Sequence, residues 1–417
     1  MKRGRIKALS ISCILLSFFL CGLAVLPPTV QASTVTATVT VGHLPYAVAF
    51  TPDGKYAYVA SVDQISVINT ATNKVTATIK IEGSVGIAIA PDGKYAYVTN
   101  SVSIANGYNN FVSVISTATN KVMATISLGG VPTSVAITPN GVYAYVTEND
   151  LINNKNVGLV YVISTVTNKV TTKITIYGSP NAVAITPSGE YAFVVSQGSI
   201  SSVGNVVNGT VSVISTSSNT VTATVTVGSG PSAVALSSDG EYAYVTDSDS
   251  EVSVINTAKN TVTATVTGLS SPNGIALAAD GAYAYVTNAV GANGDNGTVS
   301  VINTATNTVD ETLTVGVNAY GVAVAPNGEY VYVTNFDDGT VSVIRTGTET
   351  EPTSSSSPAT PEFPAQSLTI TLLVSAIIVL SIVIIAMKKA EKSKLGKNNQ
   401  RKPRINKTSW VNHFFIF

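Results

Sequence analysis

Between residues 34 and 346, short apolar runs alternate with turn residues seven times over. One recurring phrase joins an apolar run, a turn and a Tyr-rich run, as in VAFTPDGKYAYVAS at residues 48–61. Its copies carry Tyr97, Tyr145, Phe193, Tyr244, Tyr285 and Tyr332 in the place of Tyr58, at spacings of 39, 48, 48, 51, 41 and 47 residues. A second phrase, ISVINT at 65–70, is echoed from Val112, Val160, Val211, Val252, Val299 and Val341. A third, KVTATIKI at 74–81, is echoed from Val122, Val170, Val221, Val262 and Val309. The last repeat stops at Arg345 without its third phrase, and the missing copy stands at the front, TATVTV before Gly42. A period near 45 with four strands per repeat predicts an all-β, seven-bladed β-propeller closed by the N-terminal strand.

The residues suit four strand positions. The innermost strand, such as Ala47-Val48-Ala49-Phe50, is small and apolar, as a crowded centre requires. The next, Tyr56-Ala57-Tyr58-Val59, is apolar on both faces because neighbouring blades would cover both sides. The outer strand alternates Val75, Ala77 and Ile79 with Thr76, Thr78 and Lys80, so one face is expected to be wet. Asp53-Gly54 and Asn73 suit turns that need positive φ.

Tyr-Val-Thr-Asn stands at residues 97–100, 285–288 and 332–335. With seven copies of the surrounding phrase, residues 34–346 resemble the YVTN-repeat β-propeller family of archaeal surface-layer proteins. The fourth copy departs from it with Phe193-Val194-Val195-Ser196. Further on, Pro361-Glu362-Phe363, an apolar run and lysines resemble the PEF-type C-terminal sorting signal. That resemblance implies cutting by an archaeosortase and re-anchoring of the chain. The tail here runs on to Phe417, and a plain membrane anchor is the alternative.

Charge sharpens the organisation. The formal net charge is zero. Yet Lys2, Arg3, Arg5 and Lys7 crowd the start, and nine cations with the single acid Glu391 fill residues 388–417. The 33–387 stretch is therefore acidic, and the basic ends read as membrane topology. Residues 1–32 read as a secretory signal, with cleavage between Ala32 and Ser33 by signal peptidase. An uncleaved signal anchor is the alternative. The propeller occupies 33–346, a Ser/Thr/Pro-rich stalk 347–366, a transmembrane helix 367–387 and a cytoplasmic tail 388–417. The expectation is an exported protein at the cell surface, anchored in the plasma membrane. Its partners would be that membrane, other envelope proteins or glycans, and not nucleic acid, which an acidic ectodomain repels.

Candidate chemistry is sparse. Cys13 and Cys21 both lie in the leader, and His43 is the one histidine of the outer part. No thiolate or imidazole metal cluster can be built there, and no base partners the many hydroxyls. These absences predict a non-enzymatic structural, adhesion or protein- and glycan-binding platform. A lactonase-type propeller hydrolase is the alternative. The residue two before each inner apolar pair should ring one channel mouth: Tyr46, Val85, Thr133, Asn181, Ser232, Asn273 and Tyr320. Two tyrosines among amides and hydroxyls suit a neutral polar ligand such as a sugar; a water-filled mouth is the plain alternative. No organic cofactor is expected. Asp247, Asp249 and Glu251 alternate along one loop and suit a Ca²⁺ ion if they converge. Asn208-Gly209-Thr210 and Asn296-Gly297-Thr298 are glycosylation sequons. The long segments 100–111, 148–158, 196–209 and 288–297 read as variable binding loops on one face.

Overall fold

A computed structural model describes residues 32–347, apart from residue 106 and segments 151–156, 199–207 and 290–294. Its twenty-eight described strands form seven four-stranded antiparallel sheets. Six are continuous in sequence, at 45–79, 84–127, 131–177, 179–226, 233–266 and 272–317. The seventh joins residues 319–345 to the N-terminal strand Thr34–Thr40, which pairs with Thr340–Arg345 from Thr34 opposite Arg345 to Thr40 opposite Thr340. The innermost strand of each blade packs on that of the next, and the last on the first. This is a seven-bladed propeller closed by its N-terminal strand.

Each blade follows the same local logic. The second strand is the core: Ala57, Tyr58, Val59 and Ala60 are all buried, as are their counterparts around the ring. Seven clusters of such side chains fill the spaces between blades. The turns between third and fourth strands carry Asn73, Asn120, Asn168, Asn219, Asn260 and Asn307 at φ near +50°. Asparagine tolerates this left-handed conformation better than other side chains do.

The tyrosine of the second strand links one blade to the next. The hydroxyl of Tyr58 donates to Asn120 Oδ1 at 2.7 Å, Tyr97 to Asn168 at 3.1 Å and Tyr145 to Asn219 at 2.6 Å. Tyr332 donates to Asn73 across the closure. Blade four has Phe193 instead, and the Asn260 Oδ1 that a hydroxyl would meet is buried without a partner.

Two local expectations are corrected. Val75 is 37% exposed, because a bulge pairs Val67 with Ala77 but Ile68 with Val75 and turns the start of the outer strand outward. The 100–111 segment is mostly not loop: Tyr95–Ile104 and Gly107–Ser116 continue as a paired hairpin. Strands likewise run to Asp150 and resume at Val157 around 148–158. The signal segment up to residue 31, the stalk beyond 347 with Pro361, Glu362 and Phe363, the 367–387 helix and the tail lie outside the described residues. Among the described residues no helix is long and apolar enough to cross a membrane.

Candidate functional site

The innermost strands bulge at their entry. Register shifts fall between Pro45 and Ala47, Ser84 and Ile87, Pro132 and Ser134, Pro180 and Ala182, Pro272 and Ile275, and Ala319 and Val322. A bulged residue has no ladder partner opposite it and its side chain is re-aimed. Tyr46, Val85, Thr133, Asn181, Asn273 and Tyr320 sit in these bulges, and Ser232 holds the same place just ahead of Ala233–Leu236. All seven line one cavity of about 690 Å³ at the channel mouth, as the spacing predicts.

The third residue of the Tyr-Val-Thr-Asn phrase holds the bulge in place. Thr99 Oγ1 accepts the N–H of Gly86 at 2.7 Å, Thr287 that of Gly274 at 2.8 Å and Thr334 that of Gly321 at 2.7 Å. Thr246 Oγ1 also donates to the Asn273 carbonyl of the next blade at 2.7 Å. The fourth residue fastens the linker that enters the blade. Asn335 Oδ1 accepts from Gly316 N–H at 3.0 Å, while its Nδ2 donates to Ser342 Oγ at 2.9 Å. Sequence periodicity marks these residues as a repeat but not as braces, because each partner lies on another strand or blade.

The mouth residues divide by what their polar atoms already do. Thr133 Oγ1 donates to the Pro180 carbonyl at 2.9 Å, Asn181 Nδ2 to the Pro231 carbonyl at 2.8 Å, and Ser232 Oγ to the Asn273 carbonyl at 2.9 Å. These three side chains stitch blade three to four, four to five and five to six. Tyr46, Tyr320 and Phe336 form an aromatic cluster, with ring centroids 5.3 Å apart for Tyr46–Tyr320, 4.8 Å for Tyr46–Phe336 and 5.7 Å for Tyr320–Phe336. Burial raises the Tyr320 phenol above its ordinary pKa, Tyr46 adds to this, and a hydrogen bond with Asn273 opposes it. The phenol therefore stays protonated through the neutral range. Among the described residues, none that lines this mouth is charged. Phe336 lies in a turn outside the repeated phrases, so periodicity does not single it out.

The other candidates sit elsewhere. Asp247 is fully buried, and its Oδ2 accepts from Ser253 Oγ at 2.6 Å. Burial raises its carboxyl to about 6, against hydrogen bonds from Ser253 and the Gly228 N–H that lower it and the charges of Asp249 and Glu251 that raise it. Asp249 instead accepts from Ser229 N–H at 2.8 Å, which with the Ser229 hydroxyl holds its carboxyl below the usual value. Asp247 and Glu251 are opposite one another in the ladder, but among the described residues no three carboxylates, imidazoles or thiols converge as a metal site. Asn208 and Asn296 are exposed, as sequons must be to be modified. His43 is exposed, and its backbone N–H donates to Asp63 at 2.9 Å.

A family model described as "Lactonase, 7-bladed beta-propeller" matches residues 250–366. Among solved structures the chain is similar to "Kuenenia stuttgartiensis Hydrazine Synthase", with a TM-score of 0.61 and 22% identity over 73% of this chain and 96% of that one. At that identity the likeness shows the propeller fold alone. No curated protein matches. The family model that matches is thus that of the lactonase propeller, over 117 of the 417 residues. The expectation of a protein that is not an enzyme is overturned by this match, which points to a hydrolase. Lone polar residues spread over seven blades give no local catalytic spacing, which is why sequence motifs alone led to the opposite reading.

Proposed function

We propose that this chain is a lactonase-type propeller hydrolase that takes a neutral, hydroxyl-rich cyclic ester at its channel mouth. The family match carries the reading, because its span contains Asn273, Tyr320 and Phe336. The lining residues described are uncharged, which favours a neutral ring over an anion. Tyr46 and Tyr320, packed on Phe336, offer apolar ring surface to the C–H faces of a sugar-like lactone. The Asn273 amide and the protonated Tyr320 phenol are the donors suited to a carbonyl that gains negative charge as water adds to it. Water oxygen bonds to the carbonyl carbon, the ring C–O bond breaks, the ring oxygen takes a proton, and a hydroxy acid leaves.

The setting we propose is the cell surface. The order basic, apolar, small at 1–32 and the uncharged run before Lys388 support export and membrane tethering. There the mouth would meet glycan-derived lactones among envelope components. The test is ring opening of a panel of aldonolactones by the purified protein, followed with a pH indicator. Acceleration that falls at least tenfold in Asn273→Ala and in Tyr320→Phe supports the assignment. Ring opening at the uncatalysed rate across the panel sinks it.

A further inference from the structure

The seam where the chain ends meet differs from the other six blade junctions. Elsewhere the next blade's turn between third and fourth strands faces the core aromatic residue, a tyrosine or, in blade four, Phe193, but blade seven has no such turn, because its outer strand comes from the N-terminus. Tyr285 therefore meets no asparagine. It is 3% exposed, makes no hydrogen bond among the described residues, and lines two cavities of about 550 and 380 Å³. The smaller cavity is also lined by Glu311, Asp310, Ala32 and Ser33.

Glu311 is an exception to the repeat. Its ladder position, opposite Val301, is Ala37, Ala77, Ala124, Ala223 and Ala264 in five other blades. Its Oε2 accepts the backbone N–H of Ser33 at 3.2 Å, and Ser33 is 7% exposed. A carboxylate thus stands where an alanine would pack, aimed at the nitrogen of the residue that follows Ala32. The Tyr285 hydroxyl is pushed up to about 12 by burial first, then by Asp280, Tyr283 and Glu311.

We infer that cleavage of the Ala32–Ser33 bond creates an amino terminus that Glu311 binds, so that processing of the leader completes the propeller's seam. Water adds to the Ala32 carbonyl carbon under a signal-type peptidase and the C–N bond breaks. Ala32 leaves as a carboxylate, and the Ser33 amine takes up a proton. One neutral N–H then becomes an ammonium with three donors, mostly charged below an ordinary α-amino pKa of about 7.7–8.0. Charge-assisted bonds are roughly twice as strong as neutral ones, and the partly shielded site limits screening. The Tyr285 hydroxyl oxygen, on the same cavity wall, is a further acceptor for the new donors.

The test uses two proteins that both run to Phe417, one beginning at Ser33 and one retaining Ala32, each with Glu311 or with Glu311→Ala. The alanine variant restores the side chain found in five other blades, so it is expected to fold. With Glu311, the Ser33 form should melt about 1–3 °C higher than the Ala32 form. In Glu311→Ala the two starts should melt together. Equal melting in the Glu311 pair, or a difference that persists in Glu311→Ala, overturns the inference. So does an exported protein whose mass shows a first residue other than Ser33.

Discussion

The hydroxyl of Tyr332 donates to the side-chain oxygen of Asn73, 259 residues away in sequence, and so ties blade seven to blade one. The same bond joins blade one to two, two to three and three to four. It turns a core tyrosine into a directional link, because the acceptor sits on a turn whose left-handed asparagine cannot easily be replaced. Opposite Phe193 the acceptor Asn260 Oδ1 is left buried and unpaired, and so is Asn307 Oδ1 at the next junction, where Tyr244 makes no such bond among the described residues.

Phe193→Tyr should therefore stabilise the protein, against the usual trend for core substitutions. A regained hydrogen bond to a buried acceptor contributes about 1 kcal/mol. Tyr145→Phe should remove a similar amount by orphaning Asn219. Urea melts of the two variants give the check, and a Phe193→Tyr midpoint at or below the parent would contradict the linkage.

Asp247 stands where blades two, six and seven have Asn100, Asn288 and Asn335. Its carboxyl is raised from 3.8 to about 6, so the folded protein holds a proton that the unfolded chain releases. Stability should fall as pH rises between about 4 and 6, because the native state binds more protons across that window. Asp247→Asn should flatten this slope and stabilise the neutral protein by on the order of 1–3 kcal/mol. The new amide can donate to Ser253 as Asn335 does to Ser342 at 2.9 Å. Thermal melts at pH 4, 6 and 7.5 measure the slope in both proteins.

The mouth should depend on its aromatic cluster. Tyr46→Ala combined with Tyr320→Ala removes both rings that pack at 5.3 Å and leaves Phe336 alone. Lactone turnover, and any binding seen by saturation-transfer NMR, should then be lost while the far-ultraviolet spectrum is kept. Retained turnover would move the site away from this mouth.

Gly321 is needed for how closely two blades approach. A Cβ there would lie 2.4 Å from the Tyr46 carbonyl oxygen and 3.0 Å from Ala47 Cα. Gly321→Ala must push the inner strands of blades seven and one apart, so it should lower both stability and turnover. Because the obstacle is backbone, no rotamer change relieves it. Gly328→Ala probes instead a turn with φ of +73° and nothing within 4 Å, and its cost should be stability alone.

Calcium should leave the melting temperature unchanged. Asp247 is enclosed by Ser253 and Gly228, and Asp249 is engaged by Ser229, so the three loop carboxylates do not present one face. A calcium-dependent rise in the melt that Asp249→Asn removes would show otherwise.

The architecture is legible in sequence because each blade repeats the same three phrases and the missing seventh copy stands at the front. The mouth ring is legible too, since a fixed offset from the inner apolar pair selects Tyr46 to Tyr320 in every blade. What the side chains do there is less legible. Thr133 and Ser232 look like free hydroxyls in sequence, yet their partners are carbonyls one blade onward, at Pro180 and Asn273. The exposure of Val75 depends on a bulge that period-two alternation does not encode. The Asp-x-Asp-x-Glu spacing suggests convergence only if the chain is straight, and Ser250 at φ of +69° breaks it.

The pairing of Thr34–Thr40 with Thr340–Arg345 also sets a timetable. The first strand to emerge during synthesis must wait for nearly the whole domain before its ladder exists. Until then its backbone groups, and the edge of the first blades, stay open to other chains. Truncations before Thr340 should thus be not merely shorter propellers but persistently adhesive ones. Quality control of this protein then reduces to a single late event, the meeting of its two ends.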